Sequence, residues 1–134
     1  MIDYVAILKA NPDGVLATVD GDNVRTRVFQ FLFAEGNQVY FSTSNDKAVY
    51  HQLMANPNVS FCTCAPEFKP VLSIYGKAIF TDDMALKTRT LDENPQIKAI
   101  YEAAENPVLE IFYIDVKEVE TFTFADGPKS YFVE

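Results

Sequence analysis

The chain has no tryptophan, a single histidine and only two cysteines in 134 residues. Those shortages exclude several chemistries at once. A structural zinc site draws four ligands from cysteine, histidine and carboxylate, and one histidine with no second cysteine pair leaves little to build one. Cys62 and Cys64 stand two apart in "VSFCTCAP", on one face of any strand and too close for an unstrained disulfide. They read as two buried thiols acting as small hydrophobes. Positive charge is scarce as well. Eleven Lys and Arg against nineteen Asp and Glu give a net charge of −8, which repels nucleic acid and anionic lipid. Long apolar runs are also missing. The longest stretch free of Asp, Glu, Lys and Arg, Ala48 to Pro66, holds two prolines, which excludes a membrane span. "MIDYVAILKANPDG" has no basic leader before its short apolar run, so a cytoplasmic protein is expected.

What is present fits one globular domain over residues 1–134, with 49% hydrophobic and 13% aromatic residues. A chain this long buries roughly two-thirds of its unfolded surface and needs no disulfide or metal to fold. Apolar positions at helical spacing predict a short helix over Ile2 to Ala10, stopped by "NPDG". "VLATV", the turn "DGDN" and the run Val24 to Phe33 predict a hairpin over residues 15–33. "QVYFST" predicts a third strand. Ser44, Asn45 or Asp46 then caps a helix whose inner face uses Val49, Leu53 and Met54. Strands follow at Val59 to Ala65 and Val71 to Thr81, the second broken at Gly76, where a bulge or tight bend is tolerated. Asp82 or Asp83 opens a helical stretch that Pro95 divides in two. "LEIFYIDVKEVETFTF" returns to strand, as one long bent strand or two joined at "VKE". Six or seven mostly antiparallel strands with few short helices make a mainly β protein, a barrel with peripheral helices.

The basic residues are not evenly spread. Alternation along residues 24–33 puts Arg25, Arg27, Phe29, Phe31 and Phe33 on one face, and a guanidinium beside phenylalanines needs a partner. Lys47 falls in the first turn of the following helix, where the positive end of the macrodipole disfavours a cation. Free backbone N–H groups there, the hydroxyls of Ser42, Thr43 and Ser44, Lys47 and a strand arginine together make the parts of a phosphate cradle. The plainer reading sets the arginines at the barrel rim, paired with carboxylates.

"LATVDGDNVRTRVFQFLF", "VYFSTSNDKAVYHQLMANPNVSF" and "LSIYGKAIFTDD" together resemble the pyridoxamine 5′-phosphate oxidase-like, FMN-binding split-barrel family. The series R-x-R, F-x-T, a lysine opening a helix, "NP-x-V" and a strand with Gly76 carries the resemblance. It implies a six-stranded, mostly antiparallel split barrel that forms a homodimer with FMN at the subunit interface. Arg27 then matches the strand arginine that contacts FMN, and Val28, Phe29 and Gln30 run along the isoalloxazine edge. Thr43 and Lys47 match the phosphate-binding threonine and lysine, with Arg25 and Ser42 as secondary candidates. The family's true oxidases carry a C-terminal extension with a tryptophan, whereas this chain has none and ends at "DGPKSYFVE". The resemblance therefore implies a short FMN-dependent oxidoreductase acting on a small molecule rather than vitamin B6 oxidation. The alternative is a binding protein without turnover, for FMN, haem or a deazaflavin. No separate catalytic residue is evident, and His51 reads as a surface or partly buried helix histidine.

Overall fold

The computed structural model of the chain describes residues 2–134. In chain order its elements are α1 (Tyr4–Ala10), β1 (Asp13–Asp20), β2 (Asn23–Gln30), β3 (Phe33–Glu35), β4 (Gln38–Ser44), α2 (Ala48–Ala55), β5 (Asn58–Cys64), β6 (Val71–Thr81), α3 (Met84–Glu93), α4 (Pro95–Tyr101), β7 (Leu109–Thr123) and β8 (Gly127–Phe132). The fold is mainly β, with eight strands where six or seven were expected. No helix among the described residues is long and apolar enough to cross a membrane.

Local chemistry sets the element ends. The Asp3 carboxylate accepts from the Ala6 N–H at 3.1 Å and caps α1, and the Asp83 carboxylate does the same for α3 through the Ala85 N–H at 2.9 Å. Pro95 opens α4, so "ENP" parts two helices as its missing N–H requires. Gly21 sits at φ +59 in the turn of the β1–β2 hairpin, a conformation that costs a residue without Cβ nothing.

All strands belong to one sheet, ordered β2-β1-β5-β6-β7-β4-β3, with β8 added to β7. The first half of β7 pairs with β4, its second half with β8, and β6 runs along its other side. The sheet curls into a barrel. Phe41 on β4 and Phe61 on β5 bring their rings to 4.9 Å, although β7 and β6 lie between those strands in the sheet. The two ends of the order, β2 and β3, are joined through Phe31 and Leu32. There the Phe31 N–H turns to the Pro12 carbonyl and the Leu32 N–H to the Tyr40 carbonyl. The run 24–33 is therefore two strands, because the chain changes partners at a barrel corner. The outer edge of β2 pairs with no strand among the described residues, and this leaves the barrel split.

Alternation divides the side chains between two environments. Leu16, Val39, Phe41, Phe61, Leu72, Ile74, Phe112 and Ile114 fill the barrel, under the lid made by α1 and α2. Burying one such side chain stabilises the fold by about 1.5–3 kcal/mol. Tyr40, Ile111, Leu109 and Phe33 face outward instead and are covered by Leu91 of α3 and Tyr101 of α4. On β1 the outward positions stay open. Val15 stands between Val28 and Cys62, and Ala17 between Thr26 and Ser60. Cys62 and Cys64 share that outward face and are exposed, contrary to the buried thiols expected; Val59, Phe61 and Thr63 take the inward positions. Met54 is likewise exposed, while Val49 and Leu53 are buried as expected. The stretch from Leu109 is one strand, bent at "VKE" by a bulge in which Tyr75 pairs with Glu118 and Gly76 with Val116.

Candidate functional site

Arg27 lies opposite Leu16 in the β1–β2 register, so its side chain starts on the inward face near the end of the barrel. Its guanidinium is half-buried and folds over its own hairpin. Nη1 donates to the Thr18 hydroxyl at 2.8 Å and to the Leu16 carbonyl at 3.2 Å. Nη2 donates to Gln52 Oε1 at 2.7 Å. The Thr18 hydroxyl donates to the same Gln52 oxygen, also at 2.7 Å, so strand and helix share one acceptor. Desolvation holds the Arg27 pKa below its ordinary value, and no carboxylate pairs with it among the described residues. The guanidinium has five N–H donors. Its Nε–H and one Nη2 hydrogen meet no acceptor among the described residues, which leaves part of the fork free for a further anion.

Gln52 ties Arg27 to α2, and Lys47 begins that helix. Lys47 is the N-cap residue itself, with φ −93 and ψ 149 and no side-chain cap, where Ser44, Asn45 or Asp46 was expected. The reason is long-range. Asn45 is held by the β7 approach, its N–H donating to the Val108 carbonyl at 3.0 Å and its Nδ2 to the Pro107 carbonyl at 2.7 Å. The Lys47 N–H donates to the Ser44 carbonyl and Tyr50 N–H to the Lys47 carbonyl. The N–H groups of Ala48 and Val49 are left without a partner among the described residues, as helix starts require. The Lys47 ammonium is exposed and forms no ion pair among the described residues. Five residues separate it from Gln52, about 7.5 Å along the helix axis.

Thr43 supplies the sharpest feature. It lies on β4 with the parity of Val39 and Phe41, is 3% exposed, and its hydroxyl has no hydrogen-bond partner among the described residues. A buried unsatisfied hydroxyl costs roughly 1–3 kcal/mol. Ser42 points the other way, onto the outer face with Tyr40 and Ser44, where Ser44 and Tyr101 share a hydrogen bond. The hydroxyls of Ser42 and Thr43 are thus on opposite faces of the strand. Arg25 is exposed, and its Nε meets Asp20 at 3.0 Å, the rim pairing of the plainer reading. On β2, Phe29 enters the aromatic core, with ring centroids 6.0 Å from Phe41 and 5.9 Å from Phe112. Val28 points outward and is 72% exposed, and Gln30 ends the strand near Asp13. Arg27 thus reaches α2 through Gln52, Thr43 lies near the end of β4 and Lys47 opens α2, while Arg25 is exposed beside Asp20 and Val28 and Ser42 face outward. A cleft of about 610 Å³ opens between the β1–β2 turn and α2. It shares Gln52 with the arginine network but is lined by none of Arg27, Thr43 and Lys47.

The sequence profile of pyridoxamine 5′-phosphate oxidase matches residues 3–123. The chain belongs to the pyridoxamine 5′-phosphate oxidase family. A search of curated proteins returns no match. Among solved structures, a NimC/NimA family protein from Clostridium acetobutylicum aligns with TM-score 0.86 at 22% identity, covering 97% of this chain and 90% of that one. A heme binding protein from Mycobacterium smegmatis aligns with TM-score 0.77 at 17% identity, over 94% of this chain and 55% of that one. An F420 reductase aligns with TM-score 0.68 at 19% identity, over 89% and 97%. At these identities the likeness is one of fold.

Within this member of the pyridoxamine 5′-phosphate oxidase family, two residues of the network escaped the sequence reading. Thr18 is a polar residue at an inward position of "VLATVD", a buried hydroxyl that needs a partner. Gln52 is a polar residue on the helix opened by Lys47. The first was findable from alternation alone; its pairing with the second needed the helix docked. His51 is exposed, with its ring edge-on to Tyr50 at 5.4 Å.

Proposed function

We propose that the chain is an FMN-binding flavoprotein whose phosphate cradle is made by Arg27, Thr43, Lys47 and the start of α2. The observation that carries this is the buried, unpartnered Thr43 hydroxyl, adjoining a helix start with free N–H groups and a lysine with no ion pair. Each is a donor without an acceptor, and a phosphate is an acceptor with charge to match. The unpaired edge of β2 beside Phe29 offers backbone N–H and C=O groups to the polar rim of a planar ring. Arg25 and Ser42 stay outside the cradle.

When bound, FMN would supply redox chemistry to a small-molecule substrate, and the protein supplies orientation, hydrogen bonds and a dry pocket. Arg27 is pre-set by Gln52 and Thr18, so little side-chain freedom is lost on binding. The aromatic cluster of Phe29, Phe80 and Phe112 excludes water on the barrel side. A homodimer, with the cofactor shared between subunits, completes this reading, as does a cytoplasmic location.

The test begins with the purified protein, apo and titrated with FMN, followed by absorbance and by quenching of flavin fluorescence. Arg27→Ala and Lys47→Ala each remove a charge-assisted bond worth about 1.5–3 kcal/mol and weaken affinity about ten- to a hundredfold. Arg25→Ala, at an exposed pair, changes it little. Wild-type affinity in the Arg27→Ala/Lys47→Ala double variant would falsify the cradle. The heme binding and F420 reductase likenesses favour the second reading of a different bound cofactor, and titration with haem or a deazaflavin in place of FMN separates them. Anaerobic reduction by NADH or NADPH then separates an oxidoreductase from a carrier.

A further inference from the structure

We infer that the bound cofactor continues beyond its phosphate: the cradle holds the FMN half of FAD, and the AMP half lies in the cleft between the β1–β2 turn and α2. This rests on the cradle proposed above and goes beyond it by naming what the cleft takes up.

The cleft starts where the cradle ends. Lys47 opens α2, and Ala48, the next residue, is the first helix position that lines the cleft. From there the lining follows the helix to Asn56, a rise of about 12 Å. The hairpin keeps the same order. Phe29 and Gln30, beside which the flavin ring is proposed to lie, stand at one end of β2, Arg27 comes next, and the turn after Asp20 is at the other end. A cofactor with its ring at Phe29 and its phosphate at Arg27 therefore turns the far side of that phosphate toward the cleft. Gln52 is the junction. Its Oε1 accepts from Arg27, and the same residue lines the cleft.

Volume and lining both suit a nucleoside. The cleft, at about 610 Å³, falls among sites that take small organic ligands, and one phosphate group fills only a small part of it. Ala48 and Ala55 are exposed on its helix wall and keep it open. Hydrogen-bonding groups lie along it unused. Gln52 and Asn56 each engage only the side-chain oxygen, so their amide N–H groups are without acceptors among the described residues. Base nitrogens and ribose oxygens accept such donors. His51, the one histidine of the chain, lines the same wall and supplies a ring on which a base stacks.

Charge decides what kind of tail the cleft takes. No Lys or Arg lines it, and its one carboxylate is Asp20, which Arg25 holds at 3.0 Å. Asp22 follows in the turn. An acidic tail joined to the same phosphate would meet like charge there, in a chain that already carries −8. A nucleoside is uncharged and leaves the cations of the cradle to the pyrophosphate.

The apo protein is titrated calorimetrically with FMN and with FAD, and heteronuclear NMR spectra of the two complexes are compared. FAD is expected to bind roughly tenfold or more tighter than FMN, the gain from one stacked base. Amide shifts that differ between the complexes are expected at Gly21, His51 and Ala55. His51→Ala lowers FAD affinity several-fold and leaves FMN affinity unchanged. Ala55→Trp fills the cleft from an exposed helix position and brings FAD down to the level of FMN, with far-UV circular dichroism unchanged. FAD that binds no tighter than FMN overturns the inference while the cradle stands, as does an Ala55→Trp variant that keeps the wild-type preference. Differences between the complexes confined to other amides overturn it as well. Tight FAD binding with no FMN binding supports the cleft and refutes FMN as the whole cofactor. If neither flavin binds, the cradle and the inference fail together.

Discussion

Thr43→Val removes a hydroxyl and keeps the branched shape of the side chain, and the structure gives the change opposite signs in the two states of the protein. Without cofactor, the hydroxyl is buried and has no partner, so deleting it relieves a desolvation cost of roughly 1–3 kcal/mol. For a chain of this length, unfolding entropy near 2.1 cal/mol/K per residue converts about 1.5 kcal/mol into about 5 °C of Tm. The apo variant is therefore expected to melt higher than wild type. In the proposed cradle, the same hydroxyl would accept or donate at the phosphate. Wild type at a hundredfold excess of FMN over Kd gains about 2.7 kcal/mol. Loss of one bond to a charged group, about 2 kcal/mol, leaves the variant a gain of under about 1 kcal/mol at the same concentration. Differential scanning fluorimetry across an FMN series reads both quantities on one plate. An apo Tm that falls shows that the hydroxyl was satisfied after all. An FMN-induced increment equal to wild type shows that Thr43 does not meet the phosphate. Either result removes the main support for the cradle.

Gln52→Ala takes away the acceptor shared by Arg27 and Thr18, and isothermal titration should show FMN affinity reduced several-fold with a larger entropic penalty; unchanged thermodynamics would mean that the arginine is fixed without it. Gly76→Ala drives a Cβ into the Asp115 carbonyl oxygen at the bulge, so chemical denaturation should show a loss of at least about 2 kcal/mol, and a neutral result would refute the close approach. Burial raises the Tyr4 pKa; burial first and then the Glu35 charge raise that of Tyr40. Above the ordinary value of 10.0 the unfolded chain loses these protons first, so stability is full below pH 10 and falls as pH rises beyond it. Tyr4→Phe/Tyr40→Phe should flatten that fall in urea melts taken between pH 9 and about 11, and identical slopes would show that the two phenols titrate freely.

Much of the fold was legible because its signals are local. "DGDN", Asp83 and Pro95 mark turn, cap and helix break through the chemistry of a few adjacent residues. Gly76 announced the bulge. What failed did so where the answer lies across the barrel. Every residue from Val24 to Phe33 suits a strand, and nothing within the run says that Phe31 will bond to Pro12 and Leu32 to Tyr40. Asn45 has the right side chain to cap α2 but is taken by Pro107, 62 residues on. The cysteines share a face, as their spacing requires, yet which face is inward depends on Phe61 and Thr63 between them. β8 was missed although Asp126 and Gly127, at φ +67, form a hairpin signal. At the site, Arg27, Thr43 and Lys47 were named from the family resemblance, whereas the contacts of Arg27 with Thr18 and Gln52 needed the helix docked on the hairpin; Ser42 and Thr43, adjacent on one strand, point apart.

The position of β7 also governs the order in which the molecule is made. In the sheet, β2, β1, β5 and β6 form one half and β4 and β3 the other, and among the described residues only strand β7 pairs with both. A ribosome releases residue 109 after all six of those strands. Until then β6 and β4 carry open edges that nothing already synthesised can pair, and the inward aromatics Phe41, Phe61 and Phe80 lack Phe112. Such intermediates have few of the long-range contacts that reward loop closure and present strand edges to other chains. The barrel therefore closes only after translation has passed β7. Changes that leave the finished fold untouched but delay β7 will appear as aggregation during synthesis rather than as a lower melting temperature.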